Sequence, residues 1–163
     1  MNSLLIGTIT RWFILAGIAA ATSSGASAGT LSFTNHLGGD QMQCLVRLLD
    51  TSRWKFSSDL HKQMLSIAQV ATVVLNNKGR ADYIFVFEAD GWCGTAGCPL
   101  LIGEVRADGT CGLLYDEAGG KSFIVLSRRD HGYLRIYAPC EARFDGHRYQ
   151  QVREDCPSLD VPH

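Results

Sequence analysis

Residues 70–87 read VATVVLNNKGRADYIFVF, and this stretch contains the pattern that decides the fold. A short β-branched run at 70–75 is followed by the turn-forming residues 76–79, and an apolar run returns at 83–87. Short apolar runs on either side of a glycine-containing turn are typical of neighbouring β-strands. The stretch therefore predicts two strands joined by a turn.

The same pattern continues towards the C terminus, where short apolar stretches alternate with turn-formers such as Asp-Gly and Gly-Gly. Further strands are predicted at 100–105, 110–115, 123–126, 133–137 and 148–152. Seven strands with short connections favour an antiparallel meander, curled or packed against other elements.

Two helices are predicted before the strands. Residues 40–50 have apolar side chains near helical spacing, and Ser57 is a suitable N-cap for a helix whose apolar residues share one face up to Ile67. The sequence thus predicts an α+β fold, in which N-terminal helices pack on an antiparallel sheet and disulfides staple the chain.

The first 28 residues have the pattern of a cleaved signal peptide. Arg11 precedes an apolar run at 12–21, and small residues then lead to an Ala-x-Ala site that ends at Ala28. A membrane anchor is the alternative, but a span needs about 20 apolar residues and Arg11 interrupts this stretch. We therefore expect export to the periplasm or the medium, a single mature domain at 29–163, and no membrane association after cleavage.

Composition and charge limit the function classes. The chain is 46% hydrophobic, and 15 Lys and Arg balance 16 Asp and Glu, so there is no basic surplus. A disordered protein would be less apolar, and a nucleic-acid-binding protein would normally carry more positive charge. No His spacing indicates a metal site, and no motif indicates a cofactor. The expected partner is a protein or glycan of the cell envelope.

The six cysteines are expected to form three disulfides. An even number of cysteines behind an export signal is typical of disulfides in an oxidising compartment. Six cysteines allow 15 pairings, and only the Cys93–Cys98 pair is suggested by local geometry, because a flexible glycine-containing segment separates the two. The predicted pairs are Cys93–Cys98, Cys140–Cys156 and Cys44–Cys111.

Redox catalysis and zinc binding are the two alternative roles for these cysteines. Trp92-Cys93-Gly94 resembles the start of a thioredoxin-type site, which implies a thiol-disulfide oxidoreductase, although four residues rather than two separate Cys93 from Cys98. A structural zinc site would need a second closely spaced ligand pair, and the sequence has none.

The segment Trp92-Cys93-Gly94-Thr95-Ala96-Gly97-Cys98, with the turn at 76–82, resembles small exported bacterial proteins of unknown function with a Cys-Gly-[Ser/Thr]-x-Gly-Cys hairpin. Their turn is similar to the calcium loops of FG-GAP and VCBS-type repeats. Lys78 stands at a ligand position here, and its ammonium would repel calcium. The resemblance implies a secreted β-rich module without a defined activity.

A second resemblance is to the inhibitor of vertebrate lysozyme family. Its members have a helical start, a sheet and a Cys-x-x-x-x-Cys loop that plugs the lysozyme cleft, and Cys93 to Cys98 matches that spacing. The family's loop carries a His and an Asp, whereas this loop is Gly94-Thr95-Ala96-Gly97. The resemblance implies a periplasmic lysozyme inhibitor.

These observations predict a non-catalytic binding or inhibitor-type protein. A rigid loop with an aromatic neighbour makes a good contact, and mixed Arg and Tyr on a sheet face are also used for protein or glycan binding. The candidate contact residues are Trp92, Gly94 and Thr95 at the hairpin and Arg128, Arg129 and Tyr133 on the later strands.

A small envelope hydrolase is the alternative. If the strands on either side of Cys93–Cys98 pair, Glu88 and Glu104 are expected to lie together on one rim, as the two carboxylates of a glycosidase do. The remaining acidic candidates are Asp90, Asp116 and Glu117.

Overall fold

The computed structural model describes residues 31–53, 57–94, 97–119, 123–138 and 140–152. Two helices are followed by eight strands in these ranges. The elements are α1 (Gly39–Thr51), α2 (Ser58–Ile67), β1 (Ala68–Val73), β2 (Asp82–Phe87), β3 (Cys98–Val105), β4 (Cys111–Gly119), β5 (Ile124–Asp130), β6 (Tyr133–Tyr137), β7 (Glu141–Phe144) and β8 (Tyr149–Gln151).

The strands form two four-stranded antiparallel sheets, and in each sheet the neighbours follow chain order. Strands β1–β4 form sheet 1, and strands β5–β8 form sheet 2. The predicted α+β class with an antiparallel meander is therefore confirmed, with the meander divided between two sheets.

Sheet 1 is buried on both faces. Ile84 and Val86 of β2 belong to the core that sheet 1 shares with sheet 2, whereas Phe85 and Phe87 belong to the core under the helices. Because successive side chains of a strand point to opposite faces, the apolar run at 83–87 fills two cores. The result is three layers, with the helices, sheet 1 and sheet 2 in that order.

Both predicted helices form, and each buries one face on sheet 1. The Gln41 side chain accepts the Gly38 N–H at 2.8 Å at the start of α1, and the Ser57 hydroxyl accepts the Leu60 N–H at 3.4 Å at the start of α2. These bonds satisfy backbone donors that a helix leaves open at its first turn. The buried helix residues are Cys44, Leu45, Leu48, Leu49 and Met64.

Strand β7 is missing from the seven strands predicted from the sequence. Its four residues, Glu-Ala-Arg-Phe, contain only two apolar side chains, Ala142 and Phe144, both of which point into the core. The turn predicted at 145–146 is nevertheless present, because the Asp145 N–H donates to the Arg148 carbonyl at 3.0 Å between β7 and β8.

Two of the predicted disulfides are confirmed. Cys44–Cys111 joins α1 to β4 with a Cα–Cα distance of 5.2 Å, and Cys93–Cys98 closes the β2–β3 connection at 4.1 Å. Cys140 is also disulfide-bonded, whereas its predicted partner Cys156 lies outside the described residues. The predicted signal peptide, 1–28, lies outside them as well.

None of the helices in the described ranges is long and apolar enough to cross a bilayer.

The Cys44–Cys111 disulfide lies directly on the backbone of β3. A Cβ at Gly103 would stand 2.6 Å from the Cys111 Sγ, 2.8 Å from the Cys44 Sγ and 2.9 Å from the Leu48 Cδ1. Contacts this short are repulsive, so a glycine at 103 lets α1 and its disulfide approach the sheet.

We expect Gly103→Ala to lower the free energy of unfolding by about 1–3 kcal/mol, because the added methyl group overpacks the site under α1. Urea unfolding of the oxidised protein measures the loss. Gly94→Ala is the matched control, since a Cβ there meets no atom within 4 Å. Equal stability of the two variants would contradict the proposed close approach.

Candidate contact surface at the cysteine hairpin

The β2–β3 connection is a short disulfide-closed hairpin. The Gly94 N–H donates to the Gly97 carbonyl and the Gly97 N–H donates to the Gly94 carbonyl, both at 3.0 Å. The Cys93–Cys98 disulfide closes the same turn, and Cys98 is the first residue of β3. Gly94 is exposed as predicted, and Thr95 lies outside the described residues.

Trp92 lies beside this hairpin but does not project from it. Its side chain is half-buried and packs against the core under the helices. The Trp92 N–H donates to the Ala89 carbonyl at 3.0 Å, which makes a turn of the chain just before Cys93. The indole therefore packs the base of the hairpin against the core under the helices.

The hairpin borders an acidic concave surface. A cavity of about 280 Å³ is lined by Glu88, Ala89, Asp90, Gly91 and Cys93. Asp90 is exposed and Glu88 is half-buried. We call residues 88–98 the hairpin segment from here on.

Two further carboxylates lie at the same end of sheet 1. The register places Glu117 beside Leu100 and Asp116 beside Leu101, close to the start of β3. Asp116 is buried and accepts the Arg53 N–H at 2.8 Å, and Glu117 pairs with the Arg53 guanidinium. Both of these carboxylates are therefore engaged by Arg53.

The predicted pairing of Glu88 with Glu104 is wrong. Strands β2 and β3 do pair, but their register places Glu104 opposite Asp82, at the far end of β2 from the hairpin. Glu88 lies six residues beyond Asp82 along the chain, which is about 20 Å in an extended strand. Two carboxylates this far apart cannot act on one glycosidic bond.

Glu104 instead belongs to a buried cluster that sequence analysis missed. Asp82 is 0% exposed, and its Oδ2 accepts the Leu75 N–H at 2.8 Å and the Asn76 side-chain N–H at 3.0 Å. Beside it, Glu104 Oε1 accepts the Tyr133 hydroxyl at 2.5 Å. The cluster links the β1–β2 turn to both sheets.

Burial raises the pKa of Asp82 to about 6, and the negative charge of Glu104 adds to this rise. The hydrogen bonds from Leu75 and Asn76 oppose the shift, because they stabilise the carboxylate. Burial of the phenol, together with its hydrogen bond to Glu104, holds the pKa of Tyr133 well above its usual value. Since Asp82 has no accessible surface, it holds the turn and does not contact a substrate.

Tyr133 is not a surface residue, so its predicted place in a contact face is wrong. Its side chain is only 6% exposed and stacks on Phe144 at a ring distance of 4.0 Å. Tyr133, at the start of β6, lies in the core between the two sheets together with Ile136, whereas Arg135 pairs with Asp130 and Glu141. Arg128 and Arg129 are exposed as predicted.

A larger cavity of about 520 Å³ lies between α1 and the β3–β4 hairpin. Sequence analysis did not find it, because it depends on how α1 is placed over the sheet. Its lining residues include Asp40, Arg47, Asp50, Tyr83 and Thr110, with the Cys44–Cys111 disulfide among them.

Within the described ranges, no group of three or more His, Cys, Asp or Glu side chains is arranged to hold a metal ion. Comparison of the chain with protein-family models, curated proteins and solved structures finds no match.

The pKa of Asp82 predicts a pH-dependent stability difference between the wild type and Asp82→Asn. A raised pKa means that the folded state binds more protons than the unfolded state between about pH 4 and 6. The wild type should therefore lose up to about 3 kcal/mol relative to the variant as the pH rises through this window.

Urea unfolding at several pH values tests this, and Asp90→Asn is the control for an exposed carboxylate. A difference between the wild type and Asp82→Asn that does not change between pH 4 and 7 would show that Asp82 does not titrate in this way.

Proposed function

We propose that this protein is an exported, disulfide-stabilised and non-catalytic binding or inhibitor-type module of the cell envelope or secretome, and that the hairpin segment contacts a cationic protein. The observation that carries the proposal is the disulfide-closed hairpin beside the cavity lined by Glu88 and Asp90.

The hairpin is suited to binding because it is ordered before a partner arrives. The disulfide and the two Gly94–Gly97 hydrogen bonds hold residues 93–94 and 97–98 together, and Trp92 packs the base of the hairpin onto the core. A segment fixed in this way loses little conformational entropy on association, so more of the contact energy remains as affinity.

The charge around the hairpin supports a cationic partner. Glu88 and Asp90 line the cavity beside the hairpin, whereas Asp116 and Glu117 on β4 are engaged by Arg53. An acidic surface attracts a basic one during encounter and discourages acidic partners. A Lys or Arg side chain of the partner would fit the cavity between Glu88 and Asp90.

Disulfides at Cys44–Cys111 and Cys93–Cys98 are compatible with an oxidising compartment. Together with the signal-peptide pattern at 1–28, they support export as part of the proposal.

A lysozyme inhibitor is the most specific form of this proposal, and it rests on the resemblance of the Cys93–Cys98 spacing to that inhibitor family. The loop here lacks the family's His and Asp, so any inhibition would depend on the acidic residues that border the loop. Lysozyme is itself a cationic protein and is therefore a suitable first probe.

We expect Asp90→Lys to weaken binding of lysozyme to the oxidised protein about tenfold or more, because it places a cation where the partner's cation would lie. Calorimetric titration measures the affinity, and a cell-wall lysis assay measures inhibition. Asp40→Lys is the matched control, because it makes the same charge change at an exposed residue in the first turn of α1, beside Thr72 and Tyr83 and away from the hairpin segment.

Equal affinity of the two variants would contradict the assignment of the hairpin segment as the contact. If the wild type does not bind lysozyme, the lysozyme form of the proposal is wrong. The same two variants, compared for capture of proteins from an envelope extract, then test the broader form.

A further inference from the structure

The end of the molecule opposite the hairpin segment is formed by three turns that meet. Asn76 of the β1–β2 turn makes a β-bridge with Tyr133, and the Leu134 N–H donates to the Leu75 carbonyl at 2.8 Å. The β5–β6 turn lies here, and antiparallel order brings the β7–β8 turn to the same end of sheet 2.

Exposed cations concentrate at these turns. Arg128 and Arg129 precede the β5–β6 turn, and Arg143 and Arg148 flank the β7–β8 turn. Lys78 of the β1–β2 turn lies 3.9 Å from Glu104. We call this set the basic end, and its members are Lys78, Arg128, Arg129, Arg143 and Arg148.

The carboxylates at the basic end are engaged within the protein. Asp130 accepts hydrogen bonds from the Arg135 Nε at 2.5 Å and Nη2 at 3.0 Å, and these bonds hold the pKa of Asp130 low. Asp145 Oδ1 accepts the N–H groups of His147 and Arg148 at 2.8 and 2.9 Å. The β3–β4 hairpin at this end carries Arg106 and Asp108, whose charges cancel.

The arginines are placed on a rigid surface. Arg135 of β6 forms ion pairs with Asp130 of β5 and Glu141 of β7. These two ion pairs connect three neighbouring strands of sheet 2. Arg128 lies on β5 and Arg143 on β7, two inter-strand spacings apart, which is about 10 Å. This separation is comparable with the length of a disaccharide, so acidic groups two sugar residues apart along a polymer would meet the two guanidinium groups.

We propose that the basic end binds an acidic polysaccharide, a function that is separate from the contact proposed at the hairpin segment. Guanidinium groups pair with carboxylate and phosphate oxygens through two parallel hydrogen bonds. The arginines would hold the polymer's acidic groups while the hairpin segment, at the other end of sheet 1, stays accessible to a protein.

A glycan fits this end better than a bilayer surface does. Interfacial membrane binding combines basic residues with apolar side chains that enter the lipid. The exposed large apolar residues among those described are Met42, Val46, Val74 and Ile124. Met42 and Val46 are on α1, Ile124 is at the far end of β5, and Val74 alone is near the basic end.

The test uses alginate, a carboxylated polysaccharide, with neutral dextran as the reference polymer. We expect the oxidised protein to bind alginate at low ionic strength, to lose affinity as salt is added, and to leave dextran unbound. The double variant Arg128→Glu/Arg143→Glu should bind alginate about tenfold more weakly or worse.

Arg47→Glu/Lys62→Glu is the matched control, since it makes the same charge change on α1 and α2. Should the double variant unfold, Arg128→Gln/Arg143→Gln and the turn variant Arg148→Gln replace it. Failure of the wild type to bind alginate overturns the proposal, and so does an equal loss in the control. If the protein binds vesicles that contain phosphatidylglycerol but does not bind alginate, the proposed glycan ligand is wrong and the basic end binds a membrane surface.

Discussion

The rest of this structure depends on one constraint, which is that sheet 1 must be covered on both faces. Residues 84–87 of β2 are at most 5% exposed and alternate between two cores. The helices cover one face, with α1 held close over Gly103 by the Cys44–Cys111 disulfide, and sheet 2 covers the other. With both faces occupied, only the two ends of sheet 1 and the outer surfaces remain for contacts.

Local patterns in the sequence predicted the elements well but not their relative register. The strands around 76–79, the cap at Ser57 and the Cys93–Cys98 hairpin depend on neighbouring residues and are confirmed. The prediction that Glu88 and Glu104 lie together was wrong because it depends on the strand register. The register decides which residues of neighbouring strands lie opposite each other, and the sequence pattern does not specify it. Tyr133 was wrongly expected at the surface and Asp82 was missed for a different reason, because their burial depends on the packing of sheet 2 against the β1–β2 turn.

The two ends of sheet 1 differ in charge as a consequence of this arrangement. At one end, the hairpin segment gathers carboxylates around a disulfide-closed turn. At the other, the turns of sheet 2 bring arginines together while Asp130 and Asp145 are used internally. The two proposed contacts, one with a cationic protein and one with an anionic polysaccharide, therefore lie at opposite ends of sheet 1.

Amide hydrogen exchange, with and without saturating lysozyme, tests the central claim that the hairpin segment is a preordered contact surface. In the free protein, the Gly94 and Gly97 amides should already exchange slowly because each is hydrogen-bonded. Bound lysozyme should slow exchange further across 88–98 and leave sheet 2 unchanged. Exchange of Gly94 and Gly97 at the rate of an open loop, or a footprint on sheet 2 instead, would contradict the account.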